Sequence, residues 1–364
     1  MAIPEIVDVT VIGGGIFGLS AAWAFHRRGL SVRVLEAGRI GAGASGGIVG
    51  ALSPHTPDRW NDKKAFQFAA LTSAPDHWAG VEAAGGLHSG FGAVGRLIPL
   101  HSAEDRSRAE ARQRDAQQNW QGLAEWRVVD RPAFLASDAH DKGVGAVQDT
   151  LSARLYPLAA VKALAAALRA KGVDVAEASP VQDASALRQN SRLVVVAAGY
   201  QSESVIPQLP KGLMRGVKGQ ALLLEADLPE AMPLVFDNGL YVINHPGRGV
   251  AIGSTSETEW EDAHGVDHEP LEALRRRAIA LVPGLADAPV KARWAGVRPR
   301  GRFPDPVLGE IPEAPGVWLF SGGFKIGFGI AHLLAERLAD AAMGQPALLP
   351  ERFQLSQHLT QHRK

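Results

Sequence analysis

The sequence predicts an α/β protein in which a helix-covered parallel sheet is interleaved with a separate antiparallel β-sheet. Three stretches carry that expectation. The first is Val9 to Ile12, a short apolar run rich in β-branched residues, followed directly by Gly13-Gly14-Gly15-Ile16-Phe17-Gly18. An apolar run of this kind is the pattern of a strand buried on both faces. The second is Leu193-Val194-Val195-Val196-Ala197-Ala198-Gly199-Tyr200, another continuous buried strand ending in glycine. The third is the change of pattern between Pro207 and Arg293, where shorter strands alternate with turns.

In the opening stretch, Gly13, Gly15 and Gly18 occupy the G-x-G-x-x-G positions. Gly13 permits a tight turn, Gly15 lets a pyrophosphate approach the backbone, and Gly18 lets the next helix pack close to the sheet. Ile16 to Arg28 reads as that helix, and Gly29 stands where a left-handed cap belongs. The strand Ser31 to Leu35 follows and ends on Glu36, eighteen residues beyond Gly18. A carboxylate there accepts hydrogen bonds from ribose hydroxyls and repels a 2′-phosphate, so the expected ligand is FAD or NAD and not NADP. The other reading is a glycine-rich turn in an unrelated α/β protein. A second small-residue run, Gly41 to Leu52, favours FAD. It is too rich in glycine to pack as a helix or strand of its own. It can lie flat along an extended cofactor and offer N–H groups to it. A nicotinamide enzyme does not need such a run directly after its second strand.

Composition narrows the classes. The chain has 364 residues, 46% hydrophobic and 21% charged, with 38 basic against 38 acidic residues. The balance suggests neither a nucleic-acid nor an anionic-membrane surface. With no cysteine, disulfides, zinc–thiolate sites and cysteine-linked flavin are excluded. The first strand begins within ten residues of Met1, leaving no room for a signal peptide. No apolar run approaches the ~18 residues of a membrane span. The cytoplasm is the expected compartment, and no metal site is expected.

Further along, Ser53 to Lys64 is a polar loop leaving the second glycine-rich run, which makes His55 and Arg59 possible active-site groups or ordinary loop residues. Ala65 to Ala84 reads as a helix, Gly92 to His101 as a strand, and Ala103 to Gln121 as a charged, solvated helix. Residues 126–157 mix turns and short strands. Ala159 to Lys171 is an alanine-rich helix, capped by Gly172 and followed by the strand Val173 to Glu177. Lys218 to Leu224, Gly239 to Ile243 and Val250 to Thr255 read as antiparallel strands, and Leu271 to Val282 as a helix. His264 and His268 are read as loop histidines, because Gly265 and Pro270 disfavour a helix there. Val317 to Phe328 is a last strand and glycine turn, and the final helix runs from Ile330 to Met343.

These motifs together resemble the superfamily of FAD enzymes that contains D-amino-acid oxidase, glycine oxidase and sarcosine oxidase. The resemblance spans nearly the whole chain and is weakest across 85–150. It implies a Rossmann-type FAD-binding domain in three parts (1–84, 151–206, 294–364) and a substrate domain in two (85–150, 207–293). It implies FAD contacts from Gly13, Gly15, Ile16, Phe17 and Gly18, from Glu36 and Ala37, and from Ala44, Ser45, Gly46, Val49, Gly50 and Ala51. Val181 matches a valine whose backbone meets the adenine ring, and Ala198 and Gly199 match the strand that returns past the cofactor. The last turn, Gly322, Gly323, Phe324, Lys325, Ile326, Gly327 and Phe328, places a helix N-terminus at the flavin edge. This turn has Gly323 where the family usually has histidine. Gly296-Val297-Arg298-Pro299 resembles the family's G-L-R-P segment, whose arginine pairs with the substrate carboxylate. Lys325 sits where glycine oxidase has a second arginine and where sarcosine oxidase has lysine. Arg298, Lys325 and Tyr241 are thus the expected substrate contacts.

A single dinucleotide fingerprint implies that an organic substrate reduces the flavin directly. The expected reaction is hydride transfer from the Cα–H of an amino acid or amine to non-covalently held FAD, with oxygen or a quinone taking the electrons onward. Two alternatives stay open. Gly50-Ala51-Leu52-Ser53-Pro54 also matches a flavin domain that removes a carboxymethyl group from a tRNA wobble uridine, against which the neutral charge weighs. The other is a flavin-binding protein without turnover.

Overall fold

The computed structural model describes residues 6–136 and 143–360. The strands are β1 (Val7–Ile12), β2 (Val32–Leu35), β3 (Ala51–Leu52), β4 (Arg96–Pro99), β5 (Trp126–Val129), β6 (Ala146–Asp149), β7 (Ala153–Arg154), β8 (Asp174–Ala176), β9 (Ser191–Val196), β10 (Met214–Leu224), β11 (Leu234–Asp237), β12 (Leu240–His245), β13 (Gly249–Gly253), β14 (Val290–Gly301), β15 (Val307–Glu310) and β16 (Val317–Ser321). The helices are α1 (Ile16–Arg27), α2 (Asp62–Gly85), α3 (Ala103–Asn119), α4 (Pro157–Ala170), α5 (Ser202–Val205), α6 (His268–Leu281), α7 (Gly327–Ala342) and α8 (Leu355–Thr360).

Among the described residues the strands form two large sheets. One has six strands in the order β15-β16-β9-β1-β2-β8, parallel except for β15. Its central strand β1 contributes Val9 and Val11, both fully buried. α1 packs against this sheet and against α7, burying Leu19, Ala21, Ala22 and Phe25. The close approach depends on Gly18, where a Cβ would stand 1.9 Å from the Gly13 carbonyl oxygen.

The other sheet has eight strands, β14-β10-β13-β12-β11-β4-β6-β5. It is antiparallel apart from the β11–β4 pair. Its period-2 alternation separates two faces. Leu222, Leu224, Val242, Val250 and Ile252 join Leu271, Leu274, Ala278 and Leu281 of α6 in one apolar cluster. Ala221, Leu223 and Ala251 point the other way and pack on Ile48. Tyr241, between Leu240 and Val242, is therefore turned away from α6.

Two expectations need correction. The expected return to the FAD-binding domain at residue 294 falls inside β14, which pairs along β10 from Val290 to Gly301 and is an edge strand of the second sheet. α6 starts at His268, so that histidine is helical, and only His264 lies in the preceding loop. Pro270 is tolerated because it falls in the first turn, where its missing N–H would have no intrahelical partner.

Candidate cofactor and substrate site

A cavity of about 980 Å³ is lined by residues of both sheets, at the upper end of the ~300–1,000 Å³ usual for ligand pockets. On the parallel side it sits at the carboxyl ends of the strands. Gly13 follows β1, Glu36 follows β2, Ala197 and Ala198 follow β9, and Gly323 follows β16. This is where open α/β sheets bind ligands.

One end has the features of a dinucleotide site. Gly13 takes φ +115°, and a Cβ there would meet the Ala197 carbonyl oxygen at 2.5 Å. The N-cap of α1, Gly15, offers no side chain, so apart from the Ile16 N–H the first-turn N–H groups have no capping partner of their own. Glu36 is held by two backbone donors: Gly14 N–H to Oε2 at 2.6 Å and Gly38 N–H to Oε1 at 2.8 Å. A carboxylate has about four acceptor sites, so ribose hydroxyls can still be received. The Ser45 Oγ accepts from Ile16 N–H at 3.0 Å and ties the second glycine-rich run to the first. The wall between these points includes Gly15, Ile16, Phe17, Ala37, Ala44, Val49, Gly50, Ala51, Val181 and Gly199. Nothing lies within 4 Å of a Cβ built on Gly43. These residues fit an extended FAD.

Gly18, Gly46 and Gly322 do not reach the cavity, unlike the other expected contacts. Each stands behind the wall and allows a close turn: a Cβ on Gly46 would lie 2.1 Å from the Gly41 carbonyl oxygen, and one on Gly322 would lie 3.0 Å from that of Asp305.

The other end holds Arg298, Tyr241 and Lys325, with Phe324, Ile326, Gly327 and Phe328 of the last turn beside them. The Arg298 guanidinium lies over Gly219, where a Cβ would be only 2.0 Å from Nη1. It donates to the Ser254 hydroxyl at 2.7 Å and to the Thr255 carbonyl at 3.2 Å. Among the described residues no carboxylate pairs with it. Burial lowers its pKa to about 10, partly opposed by Glu257, so it stays charged at neutral pH. Lys325 is exposed on the cavity wall with Nζ 5.5 Å from the Phe324 ring centre. His55 lines the cavity with Nδ1 2.5 Å from Gln67 Oε1, and burial lowers its pKa. Arg59 is exposed and away from the cavity.

Arg96 was missed in the sequence. It is buried and lines the cavity. Its Nε donates to Asp149 at 2.7 Å and its Nη1 to the Tyr241 hydroxyl at 3.4 Å. It also lies over the Phe236 ring, which packs at a tilt against Tyr241, ring centres 4.6 Å apart. The available signal was an arginine at an inward position of an otherwise apolar strand. Ser254 and Gln67 gave no signal at all, since their partners lie far away or on another element.

The description "FAD dependent oxidoreductase" belongs to the family model that matches residues 8–341. The chain belongs to this family and is an FAD-dependent oxidoreductase. It is 27% identical to glycine oxidase of Bacillus licheniformis over 93% of this chain and 94% of that protein. It is 28% identical to the tRNA 5-methylaminomethyl-2-thiouridine biosynthesis bifunctional protein MnmC of Maricaulis maris, over 93% of this chain but only 53% of that protein. The crystal structure of glycine oxidase from Geobacillus kaustophilus superposes with a TM-score of 0.83 at 23% identity, covering 96% of this chain and 98% of that one. Among the described residues no helix is long and apolar enough to cross a membrane.

Proposed function

We propose that the chain oxidises the C–N bond of an amino acid or N-substituted amino acid, giving an imine that hydrolyses in water. FAD, held without a covalent link, supplies the two-electron acceptor at its N5. Glu36 would receive the adenosine ribose hydroxyls, and the N-terminus of α1 would hold the pyrophosphate. Arg298 holds the substrate carboxylate, because its planar fork can donate two parallel hydrogen bonds. The Tyr241 hydroxyl, oriented by Arg96, adds a second contact and fixes the Cα–H in place. Arg298 and Lys325 disfavour an ammonium nearby, so the amine binds neutral and no side-chain base is required. The observation that carries this reading is the Arg298 guanidinium, presented to the cavity with no carboxylate partner among the described residues.

The test is anaerobic mixing with amino acids, N-methyl amino acids and 2-hydroxy acids, following flavin absorbance. Bleaching by amino acids but not by hydroxy acids is expected; bleaching by hydroxy acids alone would overturn the reading. Air or a quinone added afterwards identifies the electron acceptor. The MnmC relative and the Gly50–Pro54 segment on the cavity wall favour a second reading, oxidation of a modified uridine. The balanced charge weighs against it, since tRNA binding wants an extended basic face.

A further inference from the structure

β14 places Arg298 and Arg300 two residues apart and hence on one face. Arg300 lies directly opposite Arg215 of β10, a register that brings their Cβ atoms to about 5 Å, where like charges repel. Arg300 and Lys325 both approach the Phe324 ring, at 5.7 and 5.5 Å from its centre; Phe324 and Lys325 line the cavity, and Arg300 itself is not on its wall. The Arg300 Nε is sealed from solvent without a hydrogen-bond partner. None of Arg215, Arg298, Arg300 and Lys325 is paired with a carboxylate among the described residues; Glu257 acts on Arg298 without an ion pair. Partial burial in the wall, with Arg298 and Arg300 nearby, lowers the Lys325 pKa, as expected for a cation beside other cations.

A chain with as many acids as bases has carboxylates to spare, yet among the described residues only Glu257 acts at this point, on Arg298 and without an ion pair. One amino-acid carboxylate on Arg298 would leave the rest of the cluster unmatched. We propose that Lys325 on the cavity wall, reinforced by the field of Arg300 beside Phe324, holds a second anionic group of the substrate, so that the preferred substrate carries two negative charges. The proposal rests on the amino-acid reading above and adds the chemistry of the distal group. A guanidinium and an ammonium flanking an apolar ring suit a carboxylate or a similar small anion. A nucleic-acid backbone is disfavoured because the cations gather at one ribbon and the cavity wall, and do not extend over a face.

Matched substrate pairs test the inference: iminodiacetate against N-methylglycine, and glutamate against glutamine in both enantiomers. The holoenzyme should prefer the dianion by at least about tenfold in kcat/KM, narrowing as salt is added. Arg300→Gln should narrow the ratio several-fold, Arg300→Lys should keep most of it, Arg215→Gln should lower it less, and Lys325→Gln with Arg300→Gln should bring it to about one. Arg298→Ala should lower both members of a pair together. A binding readout stands beside turnover. Malonate, succinate or glutarate should perturb the flavin spectrum and raise Tm more than acetate does, and Arg300→Gln should narrow the difference. Amines that bleach the flavin with no dianion preference, or a preference untouched by Arg300→Gln, would overturn this inference alone. Dicarboxylate binding that depends on Arg300, with no amine bleaching the flavin, would support the anion site and sink the oxidase reading. Total tRNA that perturbs the flavin and loses that effect in Arg300→Gln would reassign the cluster to phosphates and overturn the proposal.

Discussion

Glu36 shows how much a single residue settles here. Both carboxylate oxygens are held by backbone N–H groups of Gly14 and Gly38, so the charge is in position before a ligand binds. Little ordering entropy then remains to be lost on binding. Glu36→Ala removes a charged acceptor worth about 1.5–3 kcal/mol. FAD affinity, measured by titrating the apoprotein, should therefore weaken by roughly ten- to 150-fold. Unchanged affinity would remove Glu36 from the ribose role. This residue was legible because a strand end, a glycine turn and an acid at a set distance form a local pattern. Arg96 was not, because what makes it a wall residue is pairing with strands far away in sequence. β11 brings Phe236 beside it, and Asp149 of β6 holds its Nε.

At the scale of elements, the β10–β14 ribbon carries the arginines proposed to face the substrate. Gly219 and Gly296 face each other in register, and the missing Cβ at Gly219 is the space that the Arg298 guanidinium occupies. Gly219→Ala therefore displaces the arginine without deleting it, since the far end of a side chain can yield where backbone cannot. kcat/KM for a carboxylate substrate should fall at least about tenfold, the loss of ~1.4 kcal/mol of transition-state stabilisation, while FAD content stays near wild type. Full activity in that variant would show that Arg298 need not sit where the structure puts it. The ribbon also marks the limit of local reading. The residues of β14 identify a strand and the arginine proposed to hold the substrate carboxylate, but composition does not say which sheet a strand joins. That is decided by β10, some eighty residues earlier, and the expected boundary at 294 accordingly cut the strand in two.

For the molecule as a whole, buried histidines link stability to pH. His332, on α7 and against Ser73 of α2, and His245 on β12 both have pKa values lowered by burial to about 4. His332 stacks on His77, itself pushed well below the ordinary range by burial. Unfolding restores an ordinary value near 6.5, so between those limits the unfolded chain binds more protons than the folded one. The stabilisation is complete above pH ~6.5 and is lost as pH falls toward 4, at about 3 kcal/mol for each of the two histidines. Tm should therefore decline steadily from about pH 6.5 to 5, before most carboxylates begin to titrate. A flat profile there would contradict the buried neutral histidines. The glycine fingerprint, the second glycine run and the Gly-Val-Arg-Pro segment let the fold class and most of the cavity wall be read from the chain; the cation cluster and the Arg96–Tyr241 contact emerge only from sheet register. The most direct test of the central claim is kcat/KM for Arg298→Ala against an amino acid and its amide. A buried carboxylate left unpaired costs about 2–5 kcal/mol, so the acid should lose roughly 30-fold to several thousand-fold. The amide, already poor in wild type, should fare no worse in the variant, and FAD content should stay near wild type. Equal losses on acid and amide, or a variant that no longer retains FAD, would make Arg298 structural and contradict carboxylate recognition.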